Sequence, residues 1–233
     1  MATQFANGKI VTNGLVLCLD AADQTSYPTT GTTWFDLAGS NNGTLTNGPT
    51  FSGTGASSSI VFDGTDDVVS VNGNASINLP GDYTVEVWVN TNTISTSPSV
   101  KVITSKWNTD PKSMYIGFFP SGFLSHYRTL ANNTHYNATF AINASDFINK
   151  WNQVVGITSG STIQIWCNGV LKDSVSWPGV ASVPDTPLFI GGLGSGTQPF
   201  SGKISSEKIY NRALSAQEVL QNYNAQKSRF GIY

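Results

Sequence analysis

Charge is scarce in this sequence. Lysine and arginine number 12, aspartate and glutamate 14, among 233 residues, for a formal net charge of −2. So little positive charge builds no field for phosphates, and nucleic acid is not an expected partner. No polybasic stretch exists to hold the chain on an anionic membrane. Long apolar runs are missing as well: no window approaches the roughly 20 apolar residues that a membrane helix needs. The opening residues, 1–14, lack an apolar core of the secretory type, so no export signal is expected. Cysteine occurs twice, as Cys18 and Cys167. Each sits in an apolar run with no partner at metal or redox spacing, which favours two buried free thiols. A bridge between them stays open, since it depends on a Cα separation under about 7 Å. Histidine also occurs twice, and His126 and His135 lack ligand spacing to each other or to cysteine.

What fills the chain instead is glycine, serine, threonine and asparagine, punctuating short apolar runs. That rhythm argues for a β-sandwich or barrel, and this length suits one large sandwich with a core of its own. Strands are expected over residues 14–19, 58–63, 67–71, 82–91, 100–105, 113–119, 135–142, 151–158 and 187–192. In 82–91 the alternation puts Tyr83, Val85, Val87 and Val89 on one face and Thr84, Glu86 and Trp88 on the other. Ile163, Ile165 and Cys167 alternate with Gln164 and Trp166, and Asn168–Gly169 then turns the chain back, because both turn residues tolerate positive φ. One helix is expected near the C-terminus. Ser215 and Glu218 have capping-box spacing, and Ala216, Val219, Leu220 and Tyr223 form its apolar stripe. Lys227 and Arg229 suit its negative end. Residues 1–13 read as an arm and 14–233 as one domain, with no repeat or linker.

Several segments, in order, carry a resemblance. They are GLVLCLDAADQTSYPTTGTTWFDLAGSNNGTLTNGPTF (14–51), FDG (62–64), YTVEVWV (83–89), ITSKW (103–107) and WNQVVGIT (151–158). IWCNGVL (165–171), FIGG (189–192), FSGKI (200–204) and IYNRALSAQEV (209–219) complete the set. Together the chain resembles the laminin G-like/concanavalin A-like jelly-roll superfamily, and its opening is similar to the version found in tailed-bacteriophage structural proteins. The resemblance implies a two-sheet antiparallel jelly-roll with one short C-terminal helix. Phe62, Trp151, Phe189 and Ile209 would then be buried bulk. Gly64, Gly169, Gly191 and Gly202 would serve turns or close backbone approaches. Many members carry an acidic pair where this chain has Ser205 and Ser206, which weakens any inference of calcium at that place. Asp63, Asp66 and Asp67 follow a strand end and could offer hard oxygen ligands to calcium, or form a solvated acidic turn. No other cofactor is implied.

The fold also hosts glycoside hydrolases, whose two carboxylates stand about 5–9.5 Å apart. Sandwich hydrolases of this superfamily place them on one strand in a pattern like E-x-D-x-x-E. This chain has three glutamates, Glu86, Glu207 and Glu218, none with a carboxylate two residues away. Glu86 reads as a strand acid balanced by a nearby lysine or arginine, and Glu218 as a helix cap. Nucleophile-elbow and phosphate-loop motifs are absent. The glycine-rich GGLGSG (191–196) lies between strands rather than ahead of a helix. No enzyme is expected.

The reading this favours is a virion structural protein of a tailed bacteriophage. It would be a capsid decoration or cement protein, or lie on the tail surface. Its partners would be other capsid or tail proteins, it would be oligomeric on the particle, and it could bind host or environmental glycans. The other reading is a carbohydrate-binding adhesin module of a tail fibre or a host cell-surface protein. Sugar recognition uses exposed aromatic platforms beside amides and hydroxyls, and Trp107, Tyr115, His126, Tyr127 and Trp166 are the candidates. Trp166 falls on the outer face of its strand, where the indole either stacks on a sugar, meets a covering loop or subunit, or is buried after all.

Overall fold

The computed structural model describes residues 4–5, 8–95, 99–107, 113–120, 122–130, 132, 134–179, 185–194 and 196–233. In chain order its strands begin with β1 (Gln4–Phe5), β2 (Gly8–Lys9), β3 (Leu15–Asp20), β4 (Thr33–Trp34), β5 (Gly43–Thr46) and β6 (Thr50–Ser52). There follow β7 (Ser59–Asp63), β8 (Val68–Val71), β9 (Tyr83–Thr91), β10 (Lys101–Lys106), β11 (Met114–Phe119) and β12 (Phe123–Thr129). The last are β13 (His135–Ala141), β14 (Trp151–Ser159), β15 (Thr162–Cys167), β16 (Val170–Ser176), β17 (Leu188–Ile190) and β18 (Ser201–Tyr210). A one-turn helix α1 (Ala144–Phe147) precedes β14, and α2 (Ala216–Gln226) follows β18.

Two antiparallel eight-stranded sheets face each other. The first has the order β13-β12-β11-β10-β17-β8-β5-β4. The second runs β16-β15-β14-β9-β18-β7-β6, with β3 also on β18. The Ser201–Ile204 half of β18 pairs with β7 and its Ser206–Tyr210 half with β3, while its other side lies along β9. This is the expected jelly-roll. The alternation in β9 holds: Tyr83, Val85, Val87 and Val89 enter the core between the sheets. Gly191 and Gly202 are at positive φ, and a side chain on either would collide, with the Phe62 ring and the Asn90 carbonyl respectively. Cys18 and Cys167 are both buried and free.

Three expectations need correction. β12 went unrecognised because its inward positions include His126 and Arg128, which break the apolar alternation. The helix is capped as expected, with Ser215 accepting from the Glu218 amide at 3.3 Å and Glu218 from the Ser215 amide at 2.9 Å. Its buried stripe is rotated, however: Val219, Asn222, Ala225 and Gln226 face inward, and Leu220 is 47% exposed. Arg229 is not a solvated end charge but is buried in a bidentate pair with Asp20, at 2.7 and 2.8 Å.

The outer face of the second sheet is therefore not open. Helix α2 lies over it, and Val155, Ile157, Trp166, Tyr210, Leu214 and Val219 form a second apolar cluster with Val11. Residues 8–13 join this cover rather than extending as an arm. The Val11 amide donates to Asn222 Oδ1 at 2.8 Å and the Tyr210 hydroxyl to the Val11 carbonyl at 3.0 Å. Residues 1–3 and 6–7 of the expected arm lie outside the described residues. No described helix is long and apolar enough to cross a membrane.

Candidate functional site

Register decides which aromatic residues meet. Tyr115 on β11 stands directly opposite Tyr127 on β12, and Tyr127 directly opposite Asn137 on β13. All three point away from the core, since Met114, Ile116, Phe118 and Ala138 between them point into it. Trp107 closes the row on one side, just beyond β10, and His135 on the other. Neighbouring ring centroids lie 5.4 Å apart for Trp107–Tyr115, 4.6 Å for Tyr115–Tyr127 and 5.1 Å for Tyr127–His135. A row of four rings thus crosses four adjacent strands on the outer face of the first sheet. Phe119 stacks below it, 5.7 Å from Tyr115. Val102 and Leu193 seal its base, so Tyr115 is buried and its phenol is pushed up by desolvation. Trp107 and Tyr127 stay half-buried, and His135 and Asn137 are exposed. The exposed side of the row thus sets aromatic rings beside the Asn137 amide, which stands opposite Tyr127; aromatic carbon next to an amide is the mixture that serves sugar rings and their hydroxyls.

Of the five sequence candidates the structure unites Trp107, Tyr115 and Tyr127, and separates two. His126 faces the core, fully buried. Its Nδ1–H donates to the Gln164 carbonyl at 3.0 Å, and its Nε2 accepts from the Tyr83 hydroxyl at 2.7 Å. Burial holds its pKa down at about 4, so the neutral ring is a structural tie between the sheets. Trp166 does point outward, but α2 and its flanking residues cover it to 8% exposure. Its indole N–H is held by Gln164 Oε1 at 3.0 Å. It is no open platform, and Trp166→Ala should lower unfolding free energy by about 3 kcal/mol in urea titration, as for a core aromatic. A loss under 1 kcal/mol, on the order of a surface substitution, would show that the helix does not seat there. The ring that sequence missed is His135; its place at the end of the row depends on β12, one of the strands left out of the sequence reading.

Asp63, Asp66 and Asp67 do come together, with carboxylate oxygens within 4.8 Å. Asp67 Oδ2 already accepts from the Asp63 amide at 2.8 Å, and Asp63 Oδ1 from the Thr65 amide at 2.7 Å. Those bonds close the turn on itself, and burial raises the Asp67 pKa. A hard cation would have to share the oxygens that remain.

Each glutamate has a structural partner. Glu86 lies behind α2 against Lys208, at 3.4 Å, Asn222 and Gln226. Glu207 is sealed between the sheets, accepting from Thr104 Oγ1 at 2.7 Å. Glu218 pairs with Arg212 at 2.6 and 2.8 Å, which holds its carboxyl down near 2. Ser205 and Ser206, at the place of the acidic pair, bond Arg229 and Lys208.

The family model described as the concanavalin A-like lectin/glucanases superfamily matches residues 63–220. No curated protein matches the chain. Among solved structures it is similar to the binding domain of Paraclostridial Mosquitocidal Protein 1, at 18% identity and a TM-score of 0.73, covering 92% of this chain and 52% of that one. The binding domain of botulinum neurotoxin DC in complex with SialylT gives 15% identity, a TM-score of 0.74 and the same coverages. The botulinum neurotoxin serotype D binding domain gives 14% and 0.73, covering 93% of this chain and 53% of that one. The chain thus spans about half the length of these structures, and at such identities the likeness is one of fold.

Proposed function

This chain belongs to the concanavalin A-like lectin/glucanases superfamily, and from that premise we propose that it is a non-catalytic, lectin-like module that binds glycans on the surface of a tailed-bacteriophage particle. The observation that carries the binding part is the ring row across the first sheet, Trp107–Tyr115–Tyr127–His135, with the Asn137 amide beside it. Toxin binding domains of the same fold, one of them in complex with SialylT, support the use of this scaffold for recognition. The non-catalytic part is supported by the glutamates, each of which is committed to a fold contact. The particle location is supported by the opening motif over residues 14–51. A capsid, decoration or tail-surface position fits it equally, and an adhesin module would use the same row.

Trp107→Ala should leave the melting temperature within a degree or two while removing most of the glycan-array signal, roughly a tenfold loss per stacked ring. Full binding by this variant would remove the row from the reading. The location is tested separately, by asking whether the protein co-purifies in fixed stoichiometry with virions. Its absence from particles would leave the adhesin reading.

A further inference from the structure

The outer face of the second sheet carries a ring row of its own. Tyr223, Trp88, Phe230 and Trp151 follow one another with centroids 5.9, 4.5 and 4.5 Å apart. Three of these rings lie under or within the C-terminal cover. Trp151, read from sequence as core bulk, is instead half-buried and lines a cleft of about 510 Å³. That volume lies within the range of small-ligand sites, roughly 300–1,000 Å³. Lys150, Asn149, Asp146 and Asn168 share its walls.

The walls combine a rigid frame with unspent polar groups. Asn152, buried, donates to the carbonyls of Asp146 and Lys150 at 3.1 and 3.3 Å and accepts from Asn168 at 2.8 Å. Asn168 is fixed further by the Gln153 amide at 2.9 Å, and the Asn149 amide by the Thr91 carbonyl at 2.8 Å. The Lys150 ammonium and the Asn149 side-chain amide, by contrast, have no hydrogen-bond partner among the described residues. Asn168 has a second N–H to give, and Asp146 a second carboxylate oxygen, since only one accepts, from Asn143. One positive and one negative group offset each other, so the cleft selects neither anions nor cations. An aromatic wall, an Asn168 amide held in place and exposed donors and acceptors of no net charge suit a polyol ring. A second recess of about 320 Å³ is also lined by Asp146, Asn152 and Asn168.

We propose that this cleft is a second saccharide site, taking a neutral hexopyranose residue of an oligosaccharide against Trp151 with its hydroxyls on Asp146, Lys150 and Asn168. It rests on the reading of the chain as a glycan binder, but on residues of the opposite sheet. The two sites would let one module engage two glycan segments at once.

The test is ¹H–¹⁵N NMR titration of the full chain with methyl glycosides of glucose, galactose and N-acetylglucosamine, and with cellobiose and maltose. The expected result is millimolar binding to at least one probe, with shifts at the Trp151 indole N–H and the amides of Asn149, Lys150 and Asn168. The exposed variants Asp146→Ala and Lys150→Ala should keep the fold, read from their spectra, and weaken that binding roughly tenfold each, the weight of one polar contact in a small site. Shifts confined to Tyr115, Tyr127 and Asn137 would overturn the cleft while supporting the ring row on the first sheet. Shifts at the cleft that survive both variants, or none at the cleft with any probe, would overturn it as well.

Discussion

Glu86→Ala should lower unfolding free energy by about 3–5 kcal/mol, the loss seen when one partner of a buried ion pair is removed. The residue is 0% exposed, and so, within a percent, is Lys208. Lys208 Nζ has three partners: Glu86 at 3.4 Å, Ser206 at 3.1 Å and Gln226 at 3.0 Å. Deleting the carboxylate leaves an ammonium under α2 with neutral oxygens alone, and removes the acceptor of one N–H each of Asn222 and Gln226, which donate to Glu86 at 2.7 and 3.0 Å. Because Asn222 also holds the Val11 amide, the loss should spread to residues 8–13 and appear as faster hydrogen exchange there. The double variant Glu86→Leu/Lys208→Met, which removes both charges, should recover most of the stability. Urea denaturation at pH 7 decides it: a loss below 1 kcal/mol for Glu86→Ala, about what an exposed pair gives, would refute the buried network.

Stability should also fall by several kcal/mol between acid and mildly alkaline pH because of Glu207. Desolvation pushes its carboxyl from 4.5 up to about 8, the hydrogen bond from Thr104 only partly opposing this. Its second oxygen has no hydrogen-bond partner among the described residues. Between those values the unfolded chain releases this proton and the folded chain keeps it. The contribution is therefore complete below about pH 4.5 and lost as pH rises through about 8, at about 1.4 kcal/mol per pH unit. His126 acts in the opposite sense lower down. Its pKa falls from 6.5 to about 4, so its contribution is complete above pH 6.5 and lost as pH falls toward 4. Lys106, lowered by burial from 10.5 to about 8, contributes in the opposite sense from about pH 8 upward, so the interval from 6.5 to about 7.5 reports mainly Glu207. Thr104→Val/Glu207→Leu removes both partners at once and should flatten the slope there, leaving the variant about 2 kcal/mol more stable than wild type at pH 8. An unchanged slope in the variant would mean that Glu207 is already ionised in the fold.

The sequence was most legible where period and turn chemistry agree. The alternating faces of β9 and β15 and the turn at Asn168–Gly169 could be drawn from sequence, whereas the bulge that leaves Lys172 of β16 unpaired could not. β12 could not, since His126 and Arg128 face inward and find partners only in tertiary structure: Tyr83 and Gln164 for the first, Leu79 and Ser113 for the second. The same holds for α2. A stripe chosen for apolarity selects Leu220 over Gln226, yet Gln226 is buried because Glu86, 140 residues earlier, receives its amide. The ring row was half legible. Trp107, Tyr115 and Tyr127 stand out as aromatic, but that they touch follows from the pairing of β10, β11 and β12. Trp151 was misread because Trp at a strand start is usually core, and the cleft beside it is closed by Phe230 and Ile232 from far along the chain.

Strand β18 has a consequence for how the molecule is made. It is the seam of the second sheet, with β9 on one flank and β7 and β3 on the other. A chain emerging from the ribosome presents β3, β7 and β9 long before Ser201–Tyr210 exists to join them. Those strands must wait with the ladder groups on their β18 side unpaired, though β7 can already pair with β6 and β9 with β14, and closing onto β18 spans more than a hundred residues, which slows folding. The sandwich should thus form after synthesis of Tyr210 rather than strand by strand, and the waiting strands are where a holdase chaperone would bind.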